Sequence, residues 1–216
     1  MTLGKFITLE GGEGVGKTTQ LKVVQSTLQD AGLTVIMTRE PGGTPRAERI
    51  RELLLGHDAE SMSPTCELLL MFAARATHLH NAIIPALQRG EWVVCDRFTD
   101  ASYAYQGYGR GLSLDHIQQL EVMVQKGLQP DMTLLLDAPV ELGMQRAQQR
   151  SSSGEKDTDR FETEQLAFFE RVRTGYLVRA AAHPKRFKLI DATQSLQGVS
   201  DSIRDVITQF VRASRV

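Results

Sequence analysis

Cysteine is scarce: Cys66 and Cys95 are the only two in 216 residues. They form no paired framework and have no metal-ligand spacing, which excludes a disulfide scaffold and a zinc-stapled module. Two lone thiols suit a reducing compartment, and the cytoplasm is the expected location. Long apolar runs are lacking too. The longest, Leu68–Ala74, has seven residues, against the ~20 of a spanning helix. The first ten residues carry too short an apolar stretch for a secretory signal, so no membrane partner is expected. There is no excess of either charge: 25 basic and 26 acidic residues leave a net −1. That is not the basic footprint of a duplex-binding protein, and no nucleic acid polymer is expected as a partner. Lysine is sparse within the basic set, which is dominated by arginine, the better bidentate phosphate ligand. No repeat with a period of 20–50 residues is visible. A chain of 24.0 kDa buries roughly 70% of its unfolded surface on folding and needs no staple.

What is present is an alternation of short apolar runs and long amphipathic stretches. Phe6–Leu9, Thr34–Thr38, Trp92–Cys95, Thr133–Leu136 and Phe187–Ile190 read as strands buried on both faces. Helices are expected over Lys17–Asp30, Arg46–Leu55, Thr65–Arg89, Asp115–Lys126, Val140–Arg150, Thr163–Ala182 and Val199–Ala213. Gly32, Gly90 and Gly127 stand where helix C-caps belong. The expectation is an α/β fold, a five-stranded parallel sheet with helices on both faces.

Residues 11–18, Gly-Gly-Glu-Gly-Val-Gly-Lys-Thr, fit G-x-x-x-x-G-K-[ST]. The run follows the first strand and opens the first helix, the context the mechanism needs. Glycines let backbone N–H groups turn toward phosphates, and the helix N-terminus adds partial positive charge. Lys17 reaches the outer phosphates of ATP, and Thr18 offers its hydroxyl to Mg²⁺. This is a P-loop NTPase signature. A GTPase needs Asn-Lys-x-Asp and an ABC-type ATPase needs Leu-Ser-Gly-Gly-Gln; neither occurs. A small-molecule kinase remains. Asp96-Arg97 ends the apolar run Trp92–Cys95. There Asp96 can join Thr18 in the Mg²⁺ shell, partly through water, and Arg97 can bridge two phosphoryl groups. Asp137, ahead of Pro139 and Val140, reads as a helix N-cap instead.

The phosphate loop, Thr38-Arg39-Glu40-Pro41-Gly42-Gly43-Thr44, Asp96-Arg97-Phe98 and Ser102-Tyr103-Ala104-Tyr105-Gln106-Gly107 stand in one order along the chain. In that order they resemble the thymidylate kinases, bacterial type, over about residues 4 to 210. The resemblance implies one kinase domain with a lid at about residues 143–161. It implies transfer of the γ-phosphoryl group of MgATP to dTMP, giving ADP and dTDP, by a homodimer. ATP would be held by Gly11, Gly12, Glu13, Gly14, Val15, Gly16, Lys17, Thr18 and Thr19, with Ala192 and Thr193 bordering the adenine. For dTMP it implies that Phe72 stacks on thymine and that Arg75 bonds its edge. Ser102 and Gln106 complete the thymine and phosphate contacts, and Tyr105 packs on the sugar and disfavours a 2′-hydroxyl. Glu13 lies near the acceptor sugar, while Arg39, Pro41, Arg51 and Arg97 adjoin the acceptor phosphate. Read without the resemblance, Phe72 is a core residue of the run Leu68–Ala74.

The loop Glu13-Gly14-Val15 carries no arginine, and the resemblance then implies the type in which a basic lid supplies the catalytic charge. Arg146 and Arg150, i and i+4 on one helix face, and Arg160 beyond the Ser-rich run are the candidates. Two alternatives stay open at this point. One is another acceptor, such as UMP, dUMP or a deoxynucleoside; the other is a nucleotide-gated binding protein without turnover.

Overall fold

The computed structural model describes residues 3–56, 61–152 and 164–214, the side chains of 150–152 excepted. Five strands form one sheet: β1 (Phe6–Gly11), β2 (Val35–Arg39), β3 (Trp92–Asp96), β4 (Met132–Asp137) and β5 (Phe187–Asp191). Their order is β2-β3-β1-β4-β5, and every pairing is parallel. All five expected strands are present, each shifted or lengthened by one or two residues, but burial on both faces holds for β1, β3 and β4 alone: β2 is half-buried and β5 part-exposed because they are the sheet's edges.

Alternation along β1 and β4 decides which helices cover which face. Ile7, Leu9, Leu134 and Leu136 face α1 (Lys17–Asp30) and α9 (Leu196–Ser214). On α9 the buried side chains Val199, Ile203, Ile207 and Val211 recur every fourth residue, one apolar stripe laid on the sheet. Phe6 and Leu135 project to the opposite face, under α4 (Ile84–Gln88) and α8 (Leu166–Ala182) respectively. Thr8, Glu10 and Thr133 share that face and are also buried, which requires partners. The Thr8 and Thr133 hydroxyls meet at 2.8 Å.

α2 (Pro45–Leu55) and α3 (Pro64–His78) begin alike: Thr44 accepts from the Ala47 N–H and Ser63 from the Cys66 N–H, with proline in the first turn. The single helix expected over Thr65–Arg89 is in fact three pieces. α3 gives way to a π-helical turn at Leu79–Ile83 before α4. Pro85 lacks the N–H that would continue the ladder, and widening the preceding turn accommodates the loss.

A second helical segment was absent from the sequence reading. α5 (Thr99–Ser102) runs into a π-helical turn at Tyr103–Gly109. Its glycines and aromatics carry poor helix propensity, so packing against α8, α3 and the helix that follows holds it. α6 (Leu114–Gln125) and α7 (Val140–Ser152) complete the order. α8 starts at Leu166, three residues later than expected at its N-terminus. Gly32, Gly90 and Gly127 all have positive φ, as helix-terminating glycines should.

Candidate active site

The phosphate loop turns directly from β1 into α1. Gly16 caps α1 with φ 92° and no side-chain hydrogen bond, so the first N–H groups of the helix are left for an anion. Gly14, φ 69°, is where the loop meets α7: a Cβ there would sit 1.8 Å from the Gly143 carbonyl oxygen. No residue but glycine fits, so the loop rests against the backbone of α7. The Lys17 ammonium donates to the carbonyls of Gly11 at 3.1 Å and Gly12 at 2.7 Å. Burial, reinforced by the Arg97 charge and opposed by Glu13 and Asp96, lowers its pKa to about 8.

Beside the loop lies a cleft of about 390 Å³ at the C-terminal ends of β1, β2 and β3. Glu13–Thr18 form one wall. Arg39, Glu40, Pro41, Arg51, Leu55, Met71, Arg75, Asp96, Arg97, Phe98, Ala101, Ser102, Tyr105 and Gln106 form the rest. The motifs expected to work together thus converge from α1, α2, α3, α5, β2, β3, the π-helical turn at Tyr103–Gly109 and the loops between them.

Arg75 is 2% exposed and tightly held. Its Nε donates to Glu40 at 2.7 Å and one Nη to Ser102 at 3.0 Å. Glu40 also accepts from His78, and the far nitrogen of that ring meets the Thr38 hydroxyl at 2.7 Å. Among the described residues, two buried side-chain atoms lack a hydrogen-bond partner: Arg75 Nη1 and Asp96 Oδ1. Both residues line the cleft. A buried polar group without a partner costs about 1–3 kcal/mol, and a ligand that satisfies it recovers that cost. Gln106 donates its amide to Glu67 at 2.9 Å, and Glu67 in turn pairs with Arg110 at 3.3 Å.

Arg97 has φ 66°, a conformation that side-chain-bearing residues seldom adopt outside functional turns. It directs the guanidinium to Glu13 at 2.5 Å, to the Gly11 carbonyl at 3.1 Å and to the Tyr176 hydroxyl at 3.1 Å. The same group lies 4.7 Å above the Tyr105 ring, whose hydroxyl donates to Glu13 at 3.0 Å. Beneath them Glu10 is fully buried, accepting from the Phe98 N–H at 2.7 Å and the Tyr176 hydroxyl at 2.9 Å. Desolvation, then the nearby Asp100 charge, pushes its carboxyl up to about 8.

Several expected residues stand elsewhere. Phe72 is not on the cleft wall; it packs with Leu68, Tyr103 and Ile117, its ring 4.6 Å from the Arg75 guanidinium. Arg146 does not lie over the phosphate loop: its guanidinium donates to the Ala192 carbonyl at 2.8 Å. The reason is local, since α7 follows β4, the neighbour of β5, and Ala192 directly follows β5. Thr193 is tied to Asp191 through both its N–H and its hydroxyl. Asp137 holds Arg173 with both oxygens, at 2.8 and 2.9 Å, and so acts as an ion-pair partner where a helix cap was expected. Gly11 and Gly12 adjoin a separate void of about 20 Å³ beside that pair. Thr19 lies exposed on the first turn of α1, outside the cleft lining. Arg39 pairs with Glu48 at 3.0 Å, and Arg51 donates to the Pro41 carbonyl at 2.8 Å. The Arg150 side chain and Arg160 fall outside the described residues.

The sequence reading gave no role to Glu10, Glu40, Glu67 or Tyr176. Two of these had a signal: Glu10 ends an apolar strand and Glu67 abuts the longest apolar run, where an acid is buried and must be partnered.

The donor set suits Mg²⁺. No group of three or more His, Cys, Asp or Glu among the described residues could cage a metal. Of the three carboxylates lining the cleft, Glu13 and Glu40 are held by arginines, whereas Asp96 has a buried unpartnered oxygen; Thr18 adds an exposed hydroxyl. Mg²⁺ is typically held by one or two protein oxygens while keeping water and taking phosphate oxygens.

Comparison with known proteins agrees with this geometry. A family model described as thymidylate kinase matches residues 9–203. The thymidylate kinase of Chromohalobacter salexigens is 58% identical over 210 residues, covering 97% of each chain. That of Pseudomonas putida is 55% identical over 212 residues, covering 98% of this chain and 99% of the relative. The crystal structure of thymidylate kinase from Ehrlichia chaffeensis superposes with a TM-score of 0.74 at 32% identity, covering 95% of this chain and 98% of that one. The chain belongs to the thymidylate kinase family.

Proposed function

We infer that the protein transfers the γ-phosphoryl group of ATP to dTMP, giving ADP and dTDP. The observation that carries this is the cleft itself: a phosphate loop on one wall, and opposite it a buried arginine with an unused donor. Family membership supports the same reaction and lends nothing to a different acceptor or to a binder without turnover.

An oxygen of the dTMP phosphate attacks the γ-phosphorus, the bond to the β-bridging oxygen breaks, and ADP leaves with that electron pair. The acceptor is already an anion, so no side-chain nucleophile or strong base is required. Catalysis is positioning and charge neutralisation. The loop N–H groups and Lys17 hold the donor phosphates. Arg97, fixed by Glu13 and by its backbone, sits between donor and acceptor, and Arg39 and Arg51 flank the acceptor phosphate. Thr18 and Asp96 would hold Mg²⁺, which supplies charge neutralisation on the phosphates. Arg75 and Gln106 read the base, with Ser102 steadying Arg75. Phe72 backs Arg75 in the present geometry, and Tyr105, tied to Glu13, shapes the wall beside the sugar. α7 and the segment after it form the lid, and Arg146 acts on the adenine side through Ala192. Arg150 and Arg160 are the remaining arginines proposed to reach the donor phosphates.

We further propose a homodimer in the cytoplasm. A groove of about 350 Å³, lined by Leu68, Leu69, Leu112, Leu120 and Met123, supports the first. Two free cysteines, and no helix among the described residues long and apolar enough to cross a membrane, support the second.

The test is ADP release with dTMP, dUMP, dCMP and ribo-TMP as acceptors. Cytosine presents an amino group where Arg75 needs an acceptor, a mismatch of about 1–3 kcal/mol. So dCMP should fall about fivefold or more below dTMP in kcat/KM. Loss of one methyl should cost dUMP about 1 kcal/mol. Equal kcat/KM for dCMP and dTMP would remove the base assignment.

A further inference from the structure

Glu67 touches none of the reacting groups, yet it is fully buried at the end of the Gln106 side chain. A glutamine amide can be turned either way, presenting a donor or an acceptor to whatever lies beyond it. In this protein that choice is constrained. The Arg110 guanidinium faces Glu67 at 3.3 Å, and Glu164 holds Arg110 from its other side. A carboxylate paired with a guanidinium only accepts, so the amide nitrogen of Gln106 must turn toward it. The amide oxygen is then the atom left for the cleft that Gln106 lines. Arg75 is locked by the same device from the other direction. Glu40 takes its Nε and Ser102 one Nη, and Nη1 remains as an unpartnered donor.

We propose that Glu67 is a specificity-determining positioning residue: it fixes the polarity of the Gln106 amide, so that the cleft presents one donor and one acceptor to the base. This rests on reading the cleft as the acceptor-base site. An imide edge such as thymine's carries a carbonyl acceptor beside an N–H donor and matches the pair. Cytosine carries the reverse order, an amino donor beside a bare ring nitrogen, and meets donor with donor and acceptor with acceptor. Without Glu67 the amide could rotate and donate its N–H to the bare ring nitrogen of cytosine.

The experiment compares kcat/KM for dTMP and dCMP in wild type and Glu67→Gln, with KM for ATP measured alongside. A glutamine at 67 can donate or accept, so both amide orientations become available. The dTMP to dCMP ratio should drop about fivefold or more, with dCMP kcat/KM rising and KM for ATP unchanged. In a Gln106→Leu background the same substitution should leave the ratio unchanged. Equal loss for both acceptors would reduce Glu67 to a structural role and overturn the proposal. A wild type that does not distinguish dCMP from dTMP would instead overturn the base-site reading on which it rests. Should Glu67→Gln not fold, Glu67→Asp keeps the acceptor and the charge against Arg110. Its dTMP kcat/KM should fall while the ratio stays within about threefold of wild type, and a collapsed ratio there overturns the proposal.

Discussion

Lys17 is a cation packed among cations and loop carbonyls, and its proton is loosely held in the free enzyme: burial and Arg97 bring its pKa to about 8. Bound phosphate is an opposite charge within reach and should restore that proton. Hence kcat/KM for ATP, which reports the free enzyme, should fall as pH rises through about 8, while kcat falls less. Lys17→Ala should lower kcat by about 10²-fold or more, and a pH–rate profile with no inflection near 8 would contradict the assignment. Glu10 has the opposite problem. Its folded carboxyl keeps a proton to about pH 8, whereas the unfolded side chain releases it near 4.5. Between those values the folded state binds more protons than the unfolded chain, so stability declines as pH rises across the window. Glu10→Gln, which can still accept from Phe98 and meet Tyr176, should flatten the decline of Tm between pH 5 and 8. A slope identical to wild type would show that Glu10 does not titrate there.

At the scale of elements, the sheet delivers its functional groups in a fixed order. β1 ends in the phosphate loop, β3 in Asp96 and Arg97, and β2 in Arg39, all at one edge because all strands are parallel. α7 is joined to this edge twice: Gly143 packs on the Glu13 carbonyl, and Arg146 donates to the Ala192 carbonyl. The second link holds Arg146 against the residue after β5, the side proposed above for the donor's base. Arg146→Ala should therefore raise KM for ATP by about tenfold, the worth of one charged hydrogen bond, and leave KM for dTMP alone. Steady-state titration of each substrate checks this; a rise confined to dTMP would be incompatible with it. The π-helical turn at Tyr103–Gly109 carries Tyr105 and Gln106 into the cleft, a wide turn placed where function needs side chains re-aimed.

On the scale of the whole molecule, the central strands are covered on both faces, and three of the exposed large apolar side chains fall on one pair of neighbouring helices. Leu69 is 53% exposed, Val122 66% and Met123 63%, on α3 and α6. A patch of that kind on a helix pair suits a second copy of the chain. Leu69→Asp combined with Met123→Asp should shift the sedimenting species from dimer to monomer. Wild type sedimenting as a monomer at micromolar concentration would dispose of the dimer.

The sequence by itself determined the elements and their order. Five apolar runs pointed to the strands of one sheet, and Gly11–Thr18 between a strand and a helix pointed to a phosphate loop, whereas the exposure of the edge strands β2 and β5 was not legible there. Local geometry carries that information: strand burial, glycine torsions and the proline and serine or threonine starts of α2 and α3. What the tertiary structure decided is where charge ends up. Asp137 read locally as a cap for α7, and Arg173, thirty-six residues away, took both its oxygens instead. Phe72 sits behind Arg75 because α3 packs that ring on Tyr103 and Ile117. Glu10, Glu40 and Glu67 acquire their roles only from Tyr176, Arg75, His78, Gln106 and Arg110, each far along the chain. A buried carboxylate is meaningful only through its partners, and partners brought together by long-range packing leave no local pattern to read.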